Sequence, residues 1–505
     1  MRDWNARHLA AAAGATLVRA PSRPEGPASL DYRPGPRRAS IDTRTLEPND
    51  LFVGLRGARL DGGEHAAQAL AAGAWGVLVA PEHAAAAAAA IAEAESGSGG
   101  ERSGASGAVL AHEDPLAGMQ ALAHAWRREL RSRGTMVVAI TGSTGKTSTK
   151  DILAAMLAER LRVAASPENL NTEIGLPLAL LAAPADTELL VLEMAMRGSG
   201  QIAELTAIAE PDVGVIVNVG PAHLELLGSI EAIAAAKAEL IAGLAAGASV
   251  VVPADEQLLE PYLRVDVPVI SFGDGGDVSL LERRADGSVL IGHREARIEL
   301  WPSFAQRHNL SNLLAAVAAA RALGYTPRGR LDVSFSAMRG QRERLGGGVV
   351  LVADCYNANP MSMRAAIEDL SETAPARRVA VLGDMLELGP EGARMHREIG
   401  EHAQALGIEL LVTVGPLAAQ MRGGFDGESY ATPDARAAGE LVGGLLRDGD
   451  TVLVKGSRGV GLERALDALR ARAGGVPEQA HADAAPELPV QGTPAPAVSA
   501  ATEPR

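Results

Sequence analysis

From residue 135 the chain alternates short, unbroken hydrophobic runs with segments of helical spacing. Runs of this kind, rather than alternating ones, predict strands of a parallel sheet covered on both faces. Strands are predicted over 137–140, 189–192, 213–217 and 249–252, and helices over 151–160, 230–244 and 309–323, with short alternating strands over 278–300. After Gly324 and Pro327 a second series begins, over 348–353, 378–382, 410–414 and 451–454, each followed by a loop and a helical pattern. This reads as another doubly wound sheet. Before residue 134 the elements are shorter: a helix over 65–73, a strand over 75–80 and an alanine-rich helix over 84–90.

The pattern therefore predicts an α/β protein of three domains. A small N-terminal α/β domain spans 1–133, a central parallel-sheet domain of P-loop ATPase type 134–325, and a C-terminal Rossmann-like domain 326–473. From 474 to 505 the chain is rich in Pro, Ala and acidic residues without periodicity, and a disordered tail is expected. The Gly- and Ser-rich stretch 96–107 reads as a flexible insertion. Residues 9–18, mostly alanine, read as a short amphipathic helix and not a signal peptide.

A length of 505 residues agrees with about three domains. The formal charge of −15 argues against a general nucleic-acid or anionic-membrane surface, so anionic ligands must be met by local basic groups. A single cysteine, Cys355, excludes an intrachain disulfide and a cysteine-based zinc site, which fits a cytoplasmic location. The longest uncharged run, 66–81, is too short to span a bilayer, and no membrane helix is expected.

The chemistry centres on TGSTGKTSTK, from Thr141. A strand, a Gly-rich turn and a helix in succession make a phosphate cradle. Gly142, Ser143, Thr144 and Gly145 let successive backbone N–H groups converge, Lys146 adds a positive charge, and Thr147 offers a hydroxyl for Mg²⁺. The first glycine of the general P-loop pattern is replaced by Ile140, giving the shorter G-x-x-G-K-T. Glu193, at the end of a neighbouring strand, is placed to supply an oxygen ligand to the same cation. By spacing alone His223 reads as a structural histidine and Lys237 as a surface lysine. The stretch GSRGVG from Gly456 lacks the dinucleotide-binding order.

The chain resembles the Mur ligases of peptidoglycan synthesis, most closely the type that adds D-alanyl-D-alanine to a UDP-N-acetylmuramoyl-tripeptide. The resemblance runs in order through SPENLNTEIGLP at Ser166, LEMAMRGSG at Leu192, NVGPAHLELLGS at Asn218, AAKAEL at Ala235, RHNLSNLLAA at Arg307, DCYNANPMSM at Asp354, GDMLELG at Gly383 and KGSRG at Lys455. The P-loop is shared by the wider superfamily; DCYNANP with GDMLELG is the more specific pair. The D-N-P-R signature of the ligase that adds the third amino acid is absent.

What the resemblance implies is an ATP-dependent amide ligase acting through an acyl phosphate, with the three domains binding UDP-sugar, ATP and amino substrate in turn. Thr43, Arg44, Asp61 and Gly62 would hold the uridine nucleotide, although the chain has Asp42-Thr43-Arg44 for the usual Asp-Ser-Arg and Asp61-Gly62-Gly63 for the usual DGH. Asn169, Asn171 and Thr172 would face substrate and phosphates. Two Mg²⁺ are implied, one on Thr147 and Glu193, the second on His223 and Lys237, the lysine carrying a carbamate. Asn309 would contact the nucleotide, either Arg339 or Arg342 would reach its phosphates, and Asp354, Tyr356, Asn357, Asn359 and Lys455 would line the nucleotide and amino-substrate side. A monomer is expected. The alternatives are another amide ligase of the superfamily, of the UDP-muramoyl-dipeptide or folylpolyglutamate type, and a nucleotide-binding switch without ligation.

Overall fold

The computed structural model describes residues 1, 3–20, 35–57, 60–96, 107–167 and 170–472. Residues 97–106 of the expected insertion, the expected tail and Asn169 lie outside the described residues. Three sheets follow one another along the chain. The first has five strands in the order Thr16–Arg19, Ala108–Ala111, Gly76–Val79, Leu51–Val53, Ala39–Ser40, parallel except for the Thr16–Arg19 edge. The stretch 9–18 is thus not one helix. The helix is Ala6–Ala12; Gly14, at φ +63°, turns the chain and Thr16–Arg19 becomes a strand, with Leu17 and Val18 favouring the extended form.

The central sheet has ten strands. Its parallel half runs Val163–Ala165, Leu189–Glu193, Met136–Thr141, Val213–Ile216, Ser249–Pro253, Val269–Phe272. It continues through Val278–Arg283, Val289–His293 and Ala296–Pro302 and ends on Gly329–Leu331. Because Gly329–Leu331 pairs with Ala296–Pro302, the change of sheet falls between Leu331 and Gln341, beyond the break expected at 325. Alternation along Met136–Thr141 divides its side chains between two cores. Val137 and Ala139 join Trp126, Leu205 and Leu240, whereas Val138 and Ile140 join Ile152, Leu153 and Leu313. That two-sided burial is why the strand reads as an unbroken hydrophobic run.

Helix Pro115–Ser132 joins the first two units. It begins on an Asp114 cap, and Trp126 donates from Nε1 to the Ala183 carbonyl at 3.2 Å while Trp4 meets its ring edge-on at 5.4 Å. The third sheet has the order Gln341–Arg344, Val350–Asp354, Thr451–Lys455, Arg378–Gly383, Leu410–Val414, Glu428–Thr432, with only the first strand antiparallel. The strand expected over 348–353 starts at Val350, since Gly347 and Gly348 both have positive φ. No described helix is long and apolar enough to cross a membrane.

Candidate active site

Three strand ends meet at the P-loop. In register, Ile140 lies between Glu193 on one neighbour and Val215 on the other, so the loop after Thr141 opens beside the Glu193 side chain and the segment from Asn218. Such a crevice at the carboxyl ends of parallel strands is where open α/β sheets bind ligands. Gly145, at φ +76°, ends the turn and starts helix Lys146–Leu157, and a Cβ there would lie 2.4 Å from the Asn312 carboxamide oxygen. Only glycine meets both demands. Asn218 holds the loop from the other side. Its Oδ1 accepts N–H groups of Ser143 at 3.0 Å and Thr144 at 2.9 Å, and its Nδ2 donates to Thr144 Oγ1 at 2.9 Å.

Lys146 Nζ donates to the Gly142 carbonyl at 2.9 Å. Burial, aided by the Arg339 guanidinium and opposed by Glu193, holds its pKa below the ordinary lysine value. Thr147 Oγ1 donates to Glu193 Oε2 at 2.7 Å and Asn171 Nδ2 donates to Oε1 at 2.8 Å, with Glu193 only 2% exposed. Both partners of this carboxylate are neutral. A buried carboxylate beside a hydroxyl is a hard-oxygen donor pair, the kind a small divalent cation such as Mg²⁺ takes.

Lys237, on helix Ile230–Gly243, is 2% exposed and has no hydrogen-bond or ion-pair partner among the described residues. Burial first, and Lys146 second, hold its pKa well below the ordinary lysine value, so the amine is prepared to be neutral. That overturns the surface-lysine reading. His223 takes a left-handed backbone, φ +60°, at the start of the turn Leu224–Leu227, and its Nδ1 bonds to the Glu387 carboxylate of the third unit. Burial depresses its pKa; Glu387 opposes the shift, while Lys146 and Lys237 add to it. The structure thus gathers Lys146, Thr147, Asn171, Glu193, His223 and Lys237 around one crevice.

The third unit docks on this crevice. Asn359 caps helix Pro360–Thr373 in a reciprocal box with Ser362, and its Nδ2 donates to the Ser143 carbonyl at 3.3 Å. Met361 packs on Gly220, where a Cβ would lie 1.9 Å from its Sδ. Ser336 donates from N and Oγ to Asp151 Oδ2, both at 2.9 Å. The two candidate arginines separate clearly. Arg342 is taken up by Asp369 at 2.8 Å, whereas Arg339 lies over the Tyr356 ring at 4.1 Å and acts electrostatically on Lys146. Of the two, Arg339 is the one whose charge reaches Lys146 of the P-loop. Arg458 covers the same ring at 5.2 Å.

Lys455 sits among the residues it was expected to join, bonded to them from below. It is 2% exposed and its Nζ donates to Asp354 Oδ2 at 2.7 Å and to the Asn357 carbonyl at 3.2 Å. It shapes the loop Asp354 to Asn357 from beneath, leaving Asn357 exposed. Asn309 is buried with Gln306 and Asn312 as partners, and Asn312 in turn lies against the Gly145 turn. Thr172 accepts from the Gly175 N–H at 3.4 Å at the start of helix Gly175–Ala182.

On the first sheet, Arg44 folds back on Asp42 through Nε at 2.9 Å and Nη2 at 2.6 Å, which lowers the Asp42 pKa to about 2. Thr43 lies between them, half-buried. Asp61 accepts the Gly63 N–H at 2.9 Å, holding Gly62 in a tight turn, and its carboxylate lies 3.0 Å from His83 Nε2. The His83 ring fills the space beside Gly63, where a Cβ would lie 2.2 Å from it. No hydrogen bond or ion pair ties Thr43, Arg44, Asp61 or Gly62 to the P-loop cluster among the described residues.

Three residues of the crevice had no assigned role from sequence: Asn218, Asn312 and Glu387. Asn218 directly follows a predicted strand, and Asn312 sits one helical turn from Asn309, so both carried a local signal. Glu387 carried none beyond the motif around it.

Two domain families match the chain: the Mur ligase middle domain over residues 140–320 and the Mur ligase, glutamate ligase domain over 338–458. The UDP-N-acetylmuramoyl-tripeptide--D-alanyl-D-alanine ligase of Mycobacterium tuberculosis (strain ATCC 25618 / H37Rv) is 36% identical over 471 residues, covering 85% of this chain and 91% of its own. That of Bacillus subtilis (strain 168) is 34% identical over 449 residues, covering 85% and 92%. Among solved structures, MurF from Acinetobacter baumannii superposes with a TM-score of 0.77 at 26% identity, over 93% of this chain and 99% of that one. MurF ligase from Thermotoga maritima in complex with ADP gives 0.72 at 29%, over 87% and 98%. With the two domain models matched in order over residues 140–320 and 338–458, and with a relative 36% identical over 85% of the chain, the chain belongs to the Mur ligase family.

Proposed function

We propose that this protein is an ATP-dependent ligase that joins D-alanyl-D-alanine to a UDP-N-acetylmuramoyl-tripeptide in peptidoglycan precursor synthesis. Relatives so named share 36% identity with it over 85% of the chain. The observation that carries the reading is the docking of Asn359 on Ser143, which brings the Asp354 to Asn359 loop against the phosphate cradle. Nucleotide and amino substrate then meet in one crevice.

In this reading the terminal carboxylate of the UDP-peptide attacks the γ-phosphorus and ADP leaves, giving an acyl phosphate. The dipeptide amine next attacks the acyl carbon, loses a proton, and inorganic phosphate departs. The P-loop N–H groups and Lys146 hold the phosphates, and Arg339 reaches them from the third unit. Thr147 and Glu193 would hold one Mg²⁺; His223 and Lys237 would hold a second, with Lys237 as a carbamate formed when its neutral amine adds CO₂ and releases a proton. Bound Mg²⁺ offsets negative charge on the phosphoryl oxygens. Closure of the third unit keeps water from the acyl phosphate.

The first unit, to about residue 133, would hold the UDP-sugar through Thr43, Arg44, Asp61 and Gly62, and the third would select the amino component through Asp354, Tyr356 and Asn357. The enzyme acts as a cytoplasmic monomer. The test is phosphate release from ATP across a grid of UDP-muramoyl peptides and amino components, with mass spectrometry of the products. Release that requires both the UDP-tripeptide and D-alanyl-D-alanine supports the reading; release without either, or none, removes it.

A further inference from the structure

His223 and Glu387 stand 164 positions apart on different units and meet across the crevice. His223 follows strand Val213–Ile216 of the central sheet; Glu387 lies in the loop after strand Arg378–Gly383 of the third. Besides the Nδ1–carboxylate bond, the Glu225 N–H donates to the Glu387 carbonyl at 3.0 Å. Gly389 makes the close approach possible, because a Cβ there would lie 3.3 Å from Glu225 Cα. Both partners have left-handed backbone, φ +60° for His223 and +63° for Glu387. Non-glycine residues hold that conformation only where their surroundings enforce it, and such positions concentrate at functional sites. Among the described residues only six have positive φ without being glycine, so two meeting face to face marks a built contact.

A carboxylate on one imidazole nitrogen decides what the other can do. With the Nδ1 proton donated to Glu387, Nε2 is left with a free lone pair and the ring is held from turning. Glu387 has no other charged partner among the described residues, so the carboxylate is committed to this ring.

We propose that Glu387 is a positioning residue: docking of the third unit delivers its carboxylate to His223, fixes the ring with Nε2 available to a divalent cation, and so completes the cation site only in the docked arrangement. The proposal deepens the ligase reading and rests on it for the place of the cation. Its claim, however, concerns affinity rather than turnover.

The test uses the full chain with ADP and Mn²⁺ as the probe, following free Mn²⁺ by electron paramagnetic resonance. Glu387→Ala is expected to weaken Mn²⁺ binding by about 10- to 100-fold, the usual loss when such an outer partner is removed. Glu387→Gln, whose carbonyl oxygen can accept the same N–H, should lose less than about threefold, because orientation is kept while charge is not. The double variant Glu387→Ala/His223→Ala should bind within about twofold of His223→Ala alone, as residues acting through one another are not additive. Glu391→Gln, at an exposed residue paired with Arg394, serves as the unchanged control. Melting temperatures of all variants show that each is folded. Wild-type Mn²⁺ affinity in Glu387→Ala, equal losses in the Ala and Gln variants, or losses that multiply in the double variant would each overturn the proposal. Failure of the ligase reading shows separately, as wild-type protein that releases no phosphate in the presence of both substrates.

Discussion

Thr147 Oγ1 donates to Glu193 Oε2 at 2.7 Å, joining the P-loop helix to the end of the adjacent strand inside the sheet crevice. The carboxylate is buried, its hydrogen-bond partners are neutral, and of the charges described the Lys146 ammonium acts on it, so a bound cation offsets its desolvation further. Glu193→Gln should therefore leave the melting temperature unchanged or raised, while phosphate release falls by about 10²–10³-fold, as when one charge-stabilising group is lost. Stopped assays and a thermal scan on the same preparation check both halves. A lowered melting temperature with near-normal release would reverse the assignment.

Lys146→Ala should behave likewise for a different reason. The lysine is desolvated and its pKa is already depressed, so its charge serves the ligand rather than the fold. Turnover is expected to drop by roughly 10³-fold without loss of stability.

Lys237 yields a pH prediction with a definite sign. Its folded pKa lies well below 10.5, so between the two values the unfolded chain binds a proton that the folded chain does not. Stability contributed at this position is thus full above the unfolded pKa and is lost as pH falls toward the folded one. In CO₂-free buffer, the urea midpoint of the native protein should rise from pH 7 to 10 more steeply than that of Lys237→Met. The same neutral amine is what CO₂ requires. Stripping CO₂ should lower ligation and bicarbonate restore it, whereas Lys237→Arg should not recover, because its guanidinium forms no carbamate.

How much of this was legible in the sequence depends on distance along the chain. The P-loop could be read because strand, Gly142 to Gly145 turn and helix are contiguous, and each has its own local signature. The Gly329–Leu331 strand could not, since three residues carry no period and only pairing with Ala296–Pro302 defines them. Lys237 looked like a surface lysine because helix Ile230–Gly243 is alanine-rich on several faces, and spacing does not say which face the next layer covers. That Lys455 holds the Asp354 carboxylate could not be read either, because the parallel register that sets the two opposite each other is a tertiary fact.

That placement has a consequence for stability. Lys455→Met would leave Asp354 without its cation and the Asn357 carbonyl without a donor. Removing one partner of a buried pair costs about 3–5 kcal/mol, and because Asp354 keeps partial solvent access the loss should be nearer the lower end. Denaturant titration should show it. A rise in KM for the dipeptide with little change in KM for ATP would separate a disordered loop from a lost nucleotide contact.

Cys355 is 1% exposed, and burial raises its thiol pKa to about 12. The thiolate, which is the reactive form, is therefore essentially absent at neutral pH. A chromogenic disulfide reagent should label no cysteine in the native protein and one after unfolding, since the chain holds only this one. Rapid native labelling would show that the third sheet opens far more readily than its packing implies.

The last prediction concerns what the docked third unit selects. The Asp354 to Asn359 loop is fixed at one end by Lys455 and at the other by the Asn359 cap that touches Ser143. A rigid loop held at a set distance from the phosphates favours an amino component long enough to place its amine at the acyl carbon while its far carboxylate stays bound. A single D-alanine would either leave the carboxylate-binding groups unpaired or withdraw the amine. Sites built to pair a polar group discriminate against substrates lacking it by about 10⁴-fold. Phosphate release with D-alanyl-D-alanine should therefore exceed that with D-alanine by several orders of magnitude, and a UDP-dipeptide acceptor should be poor for the matching reason at the other end. Efficient addition of one amino acid would move this chain to another ligase type within the family.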